Sequence, residues 1–99
     1  MTLECATARV RPMFEQKPEA YISVARYEHP REHEEYVSVG AGRSAREARG
    51  DLVALLEGEG VHAPAVRECV DPNLRRSLLW SAKSRAMLGG QPIVVASDA

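Results

Sequence analysis

Apolar and polar residues alternate along three stretches of the first forty residues, and the period then changes to that of a helix. Leu3 to Arg11 reads as a strand that Pro12 ends, because proline has no N–H to give a ladder. Ala20 to Glu28 reads as a second strand, with Ile22 and Val24 on one face and Tyr21, Ser23, Ala25 and Tyr27 on the other. Tyr36 to Val39 is the third, with Val37 and Val39 opposed to Tyr36 and Ser38. Phe14 to Glu19, which contains Pro18, is expected as a loop. Glu28-His29-Pro30-Arg31-Glu32-His33-Glu34-Glu35 is almost wholly charged and is expected as a long solvated hairpin loop that sets Tyr27 opposite Tyr36.

Two helices follow. Ser44 precedes Glu47 by three residues, the spacing of a capping box, in which the hydroxyl accepts from the Glu47 N–H and the carboxylate reaches back to the N–H of Ser44. Ala45, Ala48, Leu52, Leu55 and Leu56 recur at helical spacing and form one apolar stripe, and Gly58 is placed to end the helix. Val66 to Val70 alternates and reads as a short strand or extended crossing. Asp71-Pro72 opens a second helix, aspartate as N-cap and proline at the first helical position. That helix is expected to continue through Leu88 and to stop at Gly89-Gly90. Pro92 to Ala96 is a last strand, and Ser97 to Ala99 a tail.

These elements predict a single α+β domain over residues 1–99, a mostly antiparallel sheet of four to five strands with two helices packed on one face. The expected core is Ile22, Val24, Val37, Val39, Leu52, Leu55, Leu56, Leu74, Leu78, Ile93 and Val95. Ninety-nine residues are too few to divide between two cores.

Composition narrows the function classes. A net charge of −1 excludes a polycation that condenses on nucleic acid, so any anion site has to be a local patch. Arginine outnumbers lysine by eleven to two, as in GC-rich bacterial or phage coding sequence. Cys5 and Cys69 match no zinc spacing and read as free thiols in a reducing compartment. No signal peptide or membrane-length apolar run is evident, so a cytoplasmic location and no membrane partner are expected. No cofactor is implied.

Four groups of residues carry candidate chemistry. Arg43, Arg46 and Arg49 form a row at the start of the first helix, where free N–H groups and the helix dipole favour anions. With Gly40-Ala41-Gly42 beside it to admit a ligand, the row is a candidate nucleic-acid or anion site. The segment Tyr36-Val-Ser-Val-Gly-Ala-Gly-Arg-Ser-Ala-Arg-Glu-Ala-Arg49 resembles the end of a double-stranded RNA-binding domain. In that family a strand and a G-x-G-x-S turn lead into a basic helix N-terminus that touches phosphates. The likeness covers about a fifth of the chain. Ala45 and Arg46 stand where that family has paired lysines, and its leading helix has no counterpart here.

The second group is the tyrosine face. With the helices on the valine side, Tyr21, Tyr27 and Tyr36 are expected to face solvent, able to stack bases or anchor a protein. The third is the back of the second helix. Leu74, Leu78, Leu79, Ala82 and Ala86 face the core, while Trp80 and Met87 fall on another side near Arg76, Lys83 and Ser84, a composition suited to an interface with a partner or a second copy. The fourth is histidine. His29 and His33 are four apart, but Pro30 breaks any helix that would align them, so no metal site is predicted. Cys69 with His62 is the one conceivable nucleophile pair, and no catalytic motif accompanies it.

The expectation is therefore a small non-enzymatic protein-binding module of bacterial or phage origin. Its size and lack of a catalytic motif are similar to those of phage-encoded inhibitors of host defence such as anti-CRISPR proteins. The alternative is nucleic-acid binding through the arginine row and the tyrosine face.

Overall fold

A computed structural model of the 99-residue chain describes residues 2–14, 20–62 and 65–97. Strands β1 (Thr2–Pro12), β2 (Ala20–Glu28) and β3 (Glu35–Gly42) are followed by helix α1 (Ala45–Gly58), strand β4 (Ala65–Glu68), helix α2 (Pro72–Lys83), the two-residue strand β5 (Met87–Leu88) and strand β6 (Gln91–Ser97). Most of the loop expected over Phe14–Glu19 and the end of the tail, residues 15–19 and 98–99, lie outside the described residues.

The α+β class, the mostly antiparallel sheet and the two helices agree with the sequence pattern. The sheet has six strands in the order β3-β2-β1-β6-β5, with β4 pairing β1 off that path. β1 is the hub. It pairs antiparallel with β2, parallel with β4 along Thr2–Cys5, and antiparallel with β6 along Arg9–Pro12. The β2–β3 hairpin has the expected register, with Tyr27 opposite Tyr36.

The helices lie on opposite faces of the sheet, not on one. Leu78, Leu79 and Ala82 of α2 pack on Ala6, Ala8, Val10, Ile22 and Val24. Leu52 and Leu56 of α1 pack on Cys5, Ala25 and Tyr27, the other parity of the same strands. The cause lies in small side chains. A Cβ on Gly40 would sit 2.3 Å from the Leu52 nitrogen and 2.5 Å from the Ala48 oxygen, so the bare backbone of β3 lets α1 settle directly on the strand. Ser23 and Ala25 beside it are fully buried and leave similar room. Burial of Leu52 and of Leu56 is worth about 1.5–3 kcal/mol each.

Local signals at the helix ends hold with small shifts. Ser44 Oγ accepts from the Glu47 N–H at 3.1 Å, but the Glu47 carboxylate accepts from the N–H of Arg43, not of Ser44. α1 runs through Gly58. Gly60, at φ +81°, takes the left-handed position, and the N–H groups of Gly60 and Val61 donate to the carbonyls of Glu57 and Leu56. Leu55, expected in the core stripe, is exposed; Ala48, Leu52 and Leu56 form the buried line.

The second helix is shorter than expected. Asp71 caps it through the Asn73 N–H at 2.9 Å, and it ends at Lys83 instead of Leu88. Gly89 and Gly90, at φ +62° and +82°, are the two turn residues of a hairpin in which Leu88 faces Gln91 and Met87 faces Pro92. Two consecutive left-handed residues make a tight turn between antiparallel strands, which glycine adopts without steric cost. The last predicted helical turn is thus unwound into β5.

Candidate functional site

The expected anion site is largely used up by the fold. Gly40 and Gly42 admit α1 in place of a ligand. Two of the backbone N–H groups around the start of α1 are taken by Ser44 and Glu47, and the N–H of Ala41 by Asp51 at 2.8 Å. Arg49 Nη1 donates to Glu68 Oε1 at 3.2 Å. Arg43 and Arg46 are exposed.

The tyrosines do not form an open face, because α1 covers that side of the sheet. Tyr27 is only 7% exposed, and its hydroxyl is 2.8 Å from Ser38 Oγ. Tyr21 and Tyr36 are half-buried. Tyr36 donates to the Glu32 carboxylate, and that hydrogen bond, with desolvation and nearby carboxylates, leaves its phenol pushed up to about 12.

The charged loop is tighter than expected, since His29 lies inside it. His29 is buried, with its ring 4.6 Å from that of Tyr36. Its Nδ1 accepts from the N–H groups of Arg31 and Glu32, which leaves the proton on Nε2, 3.1 Å from Glu59 Oε2. The imidazole therefore closes the loop and ties it to the C-terminal end of α1. His33, at φ +56°, is exposed with Nδ1 3.6 Å from Glu28. His62 is exposed, while Cys69 is buried and burial pushes its thiol up, away from the lowered value of an activated nucleophile. Cys5 is raised by burial in the same way.

The back of α2 is the surface that stays open. Trp80, the single tryptophan, is 76% exposed. Trp80, Arg76, Lys83 and the buried Leu79 line one wall of a groove of about 430 Å³, and Val94 and Val95 of β6 line the other. The helical spacing that brings 76, 80 and 83 to one side acts as the sequence predicts. Met87 does not join them. It is 61% exposed, but the unwinding of the last helical turn moves it to β5, where it borders a separate cavity with Val10, Ile22, Val39 and Ile93.

Sequence periodicity did not reveal the role of β6. Consecutive residues of a strand point to opposite faces, so a groove touching both Val94 and Val95 opens on the edge of that strand. A compositional signal does accompany it: from Pro72 to Ser97 the chain carries Arg75, Arg76, Lys83 and Arg85 and no carboxylate, although the whole chain has net charge −1. Arg75 is turned inward, donating to the Thr7 carbonyl and lying 3.7 Å from Glu68. Arg76, Lys83 and Arg85 are exposed.

Comparison with protein-family models, with curated proteins and with solved structures returned no match. No described helix is long and apolar enough to cross a membrane.

Proposed function

We propose that the chain is a small protein-binding module without catalysis of its own, and that its contact surface is the groove between α2 and β6. The observation that carries this reading is the exposure of Trp80 beside Arg76 and Lys83, over the aliphatic wall of Leu79, Val94 and Val95. Tryptophan and arginine around an apolar centre are the residue types that dominate binding hot spots. Covering a tryptophan side chain removes roughly 150–250 Å² from water, about 4–6 kcal/mol before the costs of association. The arginine row supports nucleic-acid binding less, because Arg49 is ion-paired and the glycines beside it serve packing.

The test is affinity capture from a bacterial lysate with the wild type, Trp80→Ala, the charge-reversed pair Arg76→Glu/Lys83→Glu, and the pair Arg43→Glu/Arg46→Glu. All four proteins should keep the same far-ultraviolet spectrum. A partner held by the wild type and by the Arg43/Arg46 variant, and lost by the two groove variants, is expected. Retention of that partner by both groove variants contradicts the reading.

A further inference from the structure

We propose that the occupant of the groove is an acidic, extended segment of a partner protein, added as a further strand to the outer edge of β6. The inference rests on the groove being a protein-binding surface and names what binds there.

The backbone of β6 supplies the first argument. The N–H of Met13 donates to the carbonyl of Pro92 at 2.8 Å, so Pro92 directs its backbone groups toward β1. In an antiparallel ladder this direction alternates, so Val94 also faces β1 while Ile93 and Val95 direct their N–H and C=O groups outward. β5 pairs only with Gln91 and Pro92. Among the described residues, β1 alone pairs with β6 beyond that point, so no strand covers its outer edge there. An edge of this kind, at the β-branched Val95 beside the groove, is a template for another strand.

Charge supplies the second. The edge is flanked by the cations of Arg76 and Lys83, and no carboxylate occurs between Pro72 and Ser97. Arg76 and Lys83 lie seven residues apart, roughly 10 Å along a helix, with Trp80 between them. Side chains on one face of a strand recur about every 6.8 Å. A segment with an apolar residue over Trp80 and carboxylates at the next same-face positions on either side, about 13.6 Å apart, brings both within reach of the long Arg76 and Lys83 side chains.

The same charges disfavour a second copy of this chain. Pairing β6 with β6 would bring two cationic walls together. The outer edge of β3 is a poorer site. The outward N–H of Ala41 is already bonded to Asp51, and Glu35 opens the strand.

The experiment uses a displayed library of random dodecapeptides, with Trp80 emission as the readout at the groove, since it is the single tryptophan. Enriched peptides should be acidic, with β-branched or aromatic residues at every second position, and should shift the Trp80 emission to the blue on binding. N-methylation of the backbone positions that face β6 should weaken the best peptide at least tenfold, while methylation of the alternate positions should change it less than threefold. Arg76→Glu/Lys83→Glu should also weaken it at least tenfold. Groove binding that ignores N-methylation, or enriched sequences with three- and four-residue spacing, overturns the added strand and leaves the groove reading intact. Peptides that bind Trp80→Ala as tightly as the wild type in isothermal titration calorimetry overturn both. A library that yields no binder, a blue shift given by an oligothymidine and by no peptide, or doubling of the wild-type mass with the same shift, each overturns the proposal.

Discussion

The carboxylate of Glu68 stands where a neighbouring strand would otherwise meet Thr7. Its Oε2 accepts the Thr7 N–H at 3.1 Å, between the part of β1 that pairs with β4 and the part that pairs with β6. Arg75 Nη2 donates to the Thr7 carbonyl at 2.9 Å, so side chains from β4 and α2 satisfy both backbone groups of that residue. Arg49 reaches the same carboxylate from α1. The split in the sheet is closed by one acidic residue held between two arginines, one from each helix.

Glu68→Ala should therefore destabilise the fold by about 2–3 kcal/mol, the cost of leaving a backbone donor unpaired and two arginines without their carboxylate. Glu68→Gln keeps an acceptor for Thr7 and should lose less. Urea denaturation measures both, and an alanine variant with an unchanged midpoint would show that water replaces the carboxylate freely.

Gly40 and Gly50 should respond to alanine in opposite directions. At Gly40 the new methyl meets the backbone of α1 at Leu52 and Ala48, so the helix must move off the strand, at a cost of about 3 kcal/mol or more. At Gly50, inside α1, nothing lies within 4 Å of the added carbon, and alanine should stabilise the helix by up to about 1 kcal/mol. Thermal melts of the two variants should move to either side of the wild type.

Tyr36 should ionise near pH 12 in an absorbance titration, because its hydroxyl donates to the Glu32 carboxylate. The folded-state value lies above the ordinary 10. The contribution of this bond to stability is thus complete below about pH 10 and is lost as the pH rises from there to about 12. Glu32→Gln should bring the late phenolate signal back toward 10. A wild type with no phenolate signal arriving near pH 12 would show that the hydrogen bond is absent in solution.

Features set by neighbours in the sequence were legible. The Ser44/Glu47 and Asp71-Pro72 caps, the Tyr27–Tyr36 register and the common side of Arg76, Trp80 and Lys83 all depend on residues within one turn or one hairpin. Gly89-Gly90 was ambiguous locally, since the same pair serves as a helix stop or a hairpin turn, and the pairing of Met87 with Pro92 decides between them. The odd positions of β2 look like a solvated face because they include serine and tyrosine. Ser23, Ala25 and Tyr27 are buried because Gly40, on another strand, makes room for α1. His29 sits in a charged run, and only Glu59, thirty positions on, explains its burial. The groove was half legible for the same reason: its α2 wall is periodic, while its β6 wall depends on where the last strand docks.

That last docking also bears on how the chain reaches its fold. β1 is near the beginning of the chain, yet Val10 finds its partner in Val95 and Arg11 in Val94. Contacts this far apart in sequence close late and slow the search for the native state. During synthesis, the β2–β3 hairpin and α1 can assemble early, but β1 stays open along one margin until β6 emerges from the ribosome. The completed sheet thus depends on a long-range closure, the return of β6 to β1.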